Sequence, residues 1–276
     1  MPWHARLSLD YQRHNDRTVL HHAHDGPLRI FKSLYPEGDA VCHNVIVHPP
    51  GGLVGGDQLG IDVRVAAGAH GLLSTPGATR FYAADEAFAS QQVTLNLAAG
   101  ARLEWLPLET IAYPGCRADN RWSATLAAGA ELMAWDVTAL GLPGAGQPFD
   151  SGEFRQRLEI PGLWLEQARI QASDRRLLDS PLGLGGRRCM GTLVFATGAA
   201  IARERREALL DAAREALGQA HADVTAGATA PSDRLLAVRA VAPLVEPLMA
   251  SLQAVWARWR RTAWDMVAEP PRIWAV

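Results

Sequence analysis

Apolar and polar side chains alternate strictly over much of the first two thirds of the chain. Ile61, Val63 and Val65 fall on one face of an extended segment, with Asp62 and Arg64 on the other. Val63-Arg64-Val65-Ala66-Ala67-Gly68-Ala69 recurs as Leu95-Asn96-Leu97-Ala98-Ala99-Gly100-Ala101, and again as Thr125-Leu126-Ala127-Ala128-Gly129-Ala130. Each copy leads into another extended run, Leu103 to Leu106 and Leu132 to Trp135 among them. The Ala-Gly-Ala step reads as a tight turn in which glycine supplies a positive φ, so each copy is expected to be a β-hairpin. Hairpin units repeated about every 30 residues predict stacked sheets or an irregular β-solenoid. Phe154 to Ile160, Leu163 to Ile170, Gly191 to Ala196 and Leu235 to Val241 also read as strands.

After Gly198 the period lengthens. Residues 201–217 place Ala208, Leu209, Ala212, Ala213 and Ala216 at helical spacing and stop at Gly218. Leu244, Leu248, Leu252, Val255 and Trp259 form one stripe of a second helix over 244–260. The expectation is a mainly β protein with two α-helices in its C-terminal third, a single domain over 1–276 that is β-rich over 1–198. Trp256, Trp259, Trp264 and Trp274 crowd the end of the chain, where they serve either a partner interface or the core.

Composition narrows the class. Of 276 residues 48% are hydrophobic and 20% charged, which excludes bulk disorder, and the net charge of −2 argues against a nucleic-acid surface. Cys42, Cys116 and Cys189 are an odd set without a CxxC pair, which favours a reducing compartment. No uncharged apolar run reaches the roughly 18 residues of a membrane span, and no signal peptide opens the chain, so a cytoplasmic protein is expected. Lys32 is the one lysine, and Phe31 precedes it where a phosphate-cradling loop needs glycine. A P-loop nucleotidase is excluded. GxSxG, HExxH and GxGxxG are also missing.

The densest special segment is His48-Pro49-Pro50-Gly51-Gly52-Leu53-Val54-Gly55-Gly56-Asp57. Its glycines allow close approach of a ligand or of another backbone, so the loop either positions Asp57 structurally or forms an active site around His48 and Asp57. This segment resembles the signature of the UreD/UreH family of urease accessory proteins. The resemblance continues through Ser74 to Tyr82, Leu103 to Ile111, Asp179 to Leu184, Gly191 to Leu193 and Pro271 to Trp274, in the family's order.

The resemblance implies a non-enzymatic scaffold that helps insert nickel into apo-urease, together with a helical UreF-like partner and a GTP-hydrolysing UreG-like partner. It also implies a water-filled passage and no tightly bound cofactor, only a nickel ion in transit. Asp57, Asp136 and Glu166 are the carboxylates expected to line such a path. Glu104 and Glu109 flank Trp105-Leu106-Pro107-Leu108 as further passage or structural residues, with Arg80 a plausible charge partner. Hard oxygen ligands hold nickel loosely, which suits transit. His21, His22 and His24 are less suited, because strand alternation splits them across two faces, as it does Cys42 and His43.

Overall fold

The computed structural model describes residues 2–275. The chain opens with β1 (His4–His14), β2 (Arg17–Asp25), β3 (Arg29–Ile30) and β4 (Val41–Val47). Three coils follow: β5 (Gln58–Val65), β6 (His70–Ser74) and β7 (Thr79–Phe81); β8 (Ala89–Leu97), β9 (Arg102–Trp105) and β10 (Thr110–Ala112); then β11 (Arg117–Leu126) and β12 (Glu131–Leu142). After β13 (Gln147–Pro148) come β14 (Glu153–Ile160), β15 (Trp164–Gln171), α1 (Arg175–Asp179) and β16 (Cys189–Thr197). The chain closes with α2 (Arg203–Leu217), β17 (Thr225–Ser232), β18 (Leu235–Ala242) and α3 (Val245–Trp264).

These strands form two stacked sheets. The first has the order β15-β14-β11-β8-β5-β1-β2, and its five inner strands are all parallel. The second runs β17-β18-β16-β12-β9-β6-β4-β3, with β10 and β13 paired to β12 and β7 paired to β10. The Ala-Gly-Ala turns are therefore not hairpins, which corrects the sequence expectation. Each carries the chain from the first sheet to the second, as from β5 to β6, so that successive coils pair in parallel. Turn chemistry is as read: Gly68, Gly100 and Gly129 have φ of 72°, 70° and 78°. Ala69, Ala101 and Ala130 donate back across each turn, the type II pattern that wants glycine at its third position.

Alternation sets what each sheet buries. Leu59, Ile61, Val63 and Val65 of β5 point between the sheets, while Gln58, Asp62 and Arg64 face solvent. The second sheet is covered twice, by the first sheet and by α2 and α3, so β12 is buried along nearly its whole length. Leu248, Leu252, Val255 and Trp259 supply the buried stripe of α3; Leu244 precedes the helix and is partly exposed. Besides the two expected helices there is α1, a single turn capped by the Asp174 carboxylate at Leu177 N, in a stretch where no helix was expected. The tryptophans Trp256, Trp259 and Trp264 are buried in the core, while Trp274 is half-buried and donates from Nε1 to Ser74 Oγ at 2.7 Å.

Candidate functional site

The glycine loop folds onto β7. Leu53 and Phe81 form a parallel bridge, and a side chain at Gly52 would run into the Tyr82 ring. Asp57 holds this loop shut: Oδ1 accepts from Trp3 N at 2.7 Å and Oδ2 from Val54 N at 2.9 Å, with the residue 1% exposed. His48 Nε2 is buried without a hydrogen-bond partner among the described residues. Burial holds the His48 imidazole below its usual range, the nearby Asp57 charge opposing. His48 and Asp57 make no hydrogen bond to each other.

Behind the loop lies a cavity of about 210 Å³, lined by His48, Thr75, Thr79, Arg80, Gln91 and Trp105 among others. A second, of about 310 Å³, lies between β14, β15, β16 and β18 and is lined by Asp136, Gln156, Glu166, Thr192 and Arg239. A smaller space of about 10 Å³, the neck, borders both, sharing Thr79, Gln91, Trp105 and Pro107 with the first cavity and Asp136 with the second. That volume is room for about one water molecule.

A polar row crosses the sandwich here. On the first sheet Gln91, Asn120 and Gln156 are direct cross-strand neighbours, between an apolar rung at Ala89, Ala118 and Phe154 and another at Val93, Trp122 and Leu158. On the second sheet Asp136, Thr192 and Arg239 are likewise in register. Side chains link the rows: Gln91 Nε2 donates to Asn120 Oδ1 (3.2 Å), Asn120 Nδ2 to Asp136 Oδ2 (3.0 Å), and Gln156 Nε2 to Asp136 Oδ1 (2.7 Å). Glu166 accepts from Thr192 Oγ1 at 3.1 Å and pairs with Arg239 at 2.7 Å. Burial pushes Asp136 up to about 6; Glu166 adds to the rise, while the hydrogen bonds from Gln156, Thr138 and Asn120 hold it back.

The fold thus brings Asp136 and Glu166 to one cavity and leaves Asp57 outside both cavities and the neck. Arg80 lines the first cavity and forms no ion pair among the described residues. Glu109 lies in a third cavity with Cys189 and Glu246, where burial, and then Glu246, raise its carboxyl.

Glu104 lies elsewhere, under α3. It is fully buried and takes hydrogen bonds from His70 Nε2 at 2.8 Å and Trp256 Nε1 at 2.6 Å. Arg260, also 0% exposed, sits 3.3 Å from Glu104 and 2.7 Å from Glu37, which in turn meets His43 at 2.6 Å. His21, His22 and His24 lie exposed on the edge strand β2, His22 and His24 on one face and His21 on the other. Among the described residues no group of three or more His, Cys, Asp or Glu side chains is placed to hold a metal ion.

Gln91, Asn120 and Gln156 were missed in the sequence, although the repeat marks two of them. Leu59, Gln91 and Asn120 each stand nine positions before the turn glycine of their own coil, and all three align in the sheet. Two amides at an inward position of a stacked repeat are the signal.

Fold and site together define a solenoid-like β scaffold whose chemistry is an interior row of oxygen- and amide-bearing side chains. The profile described as UreD urease accessory protein matches residues 4–275. Proteins named urease accessory protein UreD from Albidiferax ferrireducens and Variovorax paradoxus are 58% and 56% identical to this chain, each over the full length of both. That from Methylibium petroleiphilum is 47% identical over 99% of each. The chain belongs to the UreD family of urease accessory proteins, and its role lies in urease maturation.

Proposed function

We propose that this chain is a non-enzymatic assembly factor that lets a nickel ion pass between its two sheets toward apo-urease. The observation that carries the reading is the polar row that runs between two cavities and is flanked on the first sheet by apolar rungs. Buried polar side chains in such a core have to be hydrogen-bonded or hydrated, and a continuous row of them is a low-cost route for a cation. Asp136 and Glu166 are the oxygen ligands of this route, while Asp57 shapes the loop that walls its first cavity. Oxygen ligands release nickel more readily than imidazole or thiolate would.

The chain has no phosphate-cradling loop, so GTP hydrolysis falls to a UreG-like partner, with a UreF-like helical protein completing a cytoplasmic complex. Among the described residues no helix is long and apolar enough to cross a membrane.

The test is to fill the cavities separately, with Ala78→Trp in the first and Ala226→Trp in the second, and to measure nickel in the urease produced. Each variant is expected to keep its partner complex in pull-downs while urease nickel falls at least fivefold. Full nickel content with both cavities filled overturns the passage.

A further inference from the structure

The neck has a polarity of its own. Asn120 and Gln156 both turn their N–H groups to Asp136, and Thr138 Oγ1 adds a third contact at 3.3 Å, so the carboxylate is enclosed by donors on both oxygens. A cation approaching Asp136 meets hydrogen atoms first, and these repel it. An amide, however, carries an acceptor and a donor of nearly the same shape, and half a turn about its last bond exchanges them.

The exchange at Asn120 is not independent. Its oxygen accepts from Gln91, so turning Asn120 requires Gln91 to turn as well. Gln91 lines the first cavity, which places the outer end of this amide pair where an ion would arrive. A second observation points to a ligand at the same place. Trp122 lines the neck, is 3% exposed, and its buried Nε1–H has no hydrogen-bond partner among the described residues. An unpaired buried donor on a residue that lines a water-sized space calls for an acceptor nearby.

We propose that the neck is an amide-gated cation site. At rest Asn120 and Gln156 hold Asp136 by their N–H groups beside one water that accepts from Trp122. A divalent cation displaces that arrangement, taking the carboxylate of Asp136 and the carbonyl oxygens of both amides. Reversal at Asn120 turns Gln91 with it, so that Gln91 presents N–H to the first cavity and discourages a second ion until the first has left. The gate would pass ions one at a time.

This inference rests on the passage reading, and its test separates the two. The protein used is the complex of the full chain with its accessory partners, and the probe is Ni²⁺ alone, measured as metal retained after desalting and as urease activated. Asn120→Leu/Gln156→Leu keeps approximate size but removes the oxygens, so nickel retention is expected to fall at least fivefold and activation with it. Asn120→Asp replaces the swinging donor by a fixed oxygen, so retention is expected to rise severalfold while activation slows, because the ion no longer leaves. A purely structural amide would not move retention in opposite directions in the two variants.

Unchanged retention in Asn120→Asp overturns the gate, and this arm stands even where the leucine pair fails to fold. Unchanged retention and activation in a folded leucine pair overturns it equally. If the tryptophan-filled cavities block urease loading while these neck variants do not, the passage stands and the gate falls. If the filled cavities load urease normally, both fall.

Discussion

Two carboxylates are buried in this protein to a similar depth, and they are held in opposite ways. Glu104 lies between the second sheet and α3, where burial raises its carboxyl but the His70 hydrogen bond, the Arg260 charge and the Trp256 indole outweigh it, keeping it below the usual range. Asp136 lies between the sheets with only amides and a hydroxyl for donors and a second carboxylate nearby, and it rises to about 6. Burial is common to both; the sign of the shift differs because Glu104 has the His70 hydrogen bond and the Arg260 charge against it, while Asp136 has neutral donors and the Glu166 charge. A carboxylate with a resident cation is a fastening. One without is suited to a visiting cation.

The sharpest way to break this comparison is to remove the resident cation. Arg260→Ala leaves Glu37 and Glu104 buried with one positive partner fewer, which costs about 3–5 kcal/mol. Thermal unfolding should show a fall of roughly 10 °C, with α3 loosened. A melting curve like that of the unmodified chain would mean that Glu104 is not the fastening described.

Asp136→Asn should do the reverse to stability. A carboxyl raised from 3.8 to about 6 by burial weakens the fold at neutral pH, so the amide is expected to stabilise by up to about 3 kcal/mol in denaturant titration. Urease activation should nevertheless fall at least tenfold. A variant both less stable and fully active would place Asp136 with Glu104 as a fastening.

pH sharpens the same contrast. The Asp136 penalty is present above its folded value near 6, shrinks as pH falls through 6, and is gone below the unfolded value near 3.8. Glu104 contributes stability above its unfolded value near 4.5 and loses it as pH falls through its lower folded value. Between pH 7 and 5 the stability gap between the unmodified chain and Asp136→Asn should therefore narrow by about half, while the gap to Glu104→Gln stays open. Equal slopes in the two series would remove the distinction.

The smallest effect is expected at the histidine edge. His21, His22 and His24 are exposed on β2, away from both sheets' interior, so the triple alanine variant should activate urease within about twofold of the unmodified chain.

Much of the fold was legible because it is locally encoded. Alternation in β5 and β14, positive-φ glycines at 68, 100 and 129, and the apolar stripe of α3 each report what a few neighbouring residues do in water. The site was half legible. Asp136 and Glu166 were found as carboxylates beside apolar strands, but Gln91, Asn120 and Gln156 drew no notice, because a single amide on a strand is unremarkable until its neighbours on the next coil are known.

Local residue patterns carry the alphabet of the molecule: strands of period two, turns at glycine, two amphipathic helices, and the family signature spread along the chain. Tertiary structure alone decided where each turn leads. An Ala-Gly-Ala turn bends the chain equally well into a hairpin or across to a second sheet, and the choice is made by what the following strand can bury. Tertiary structure also brought Arg260 to Glu37 across 223 positions and lined up three amides, two of them bonded to Asp136. Such contacts form only when the sheets close, since charge and hydrogen-bond partners are selected by distance in space, and no local pattern in the chain records that distance.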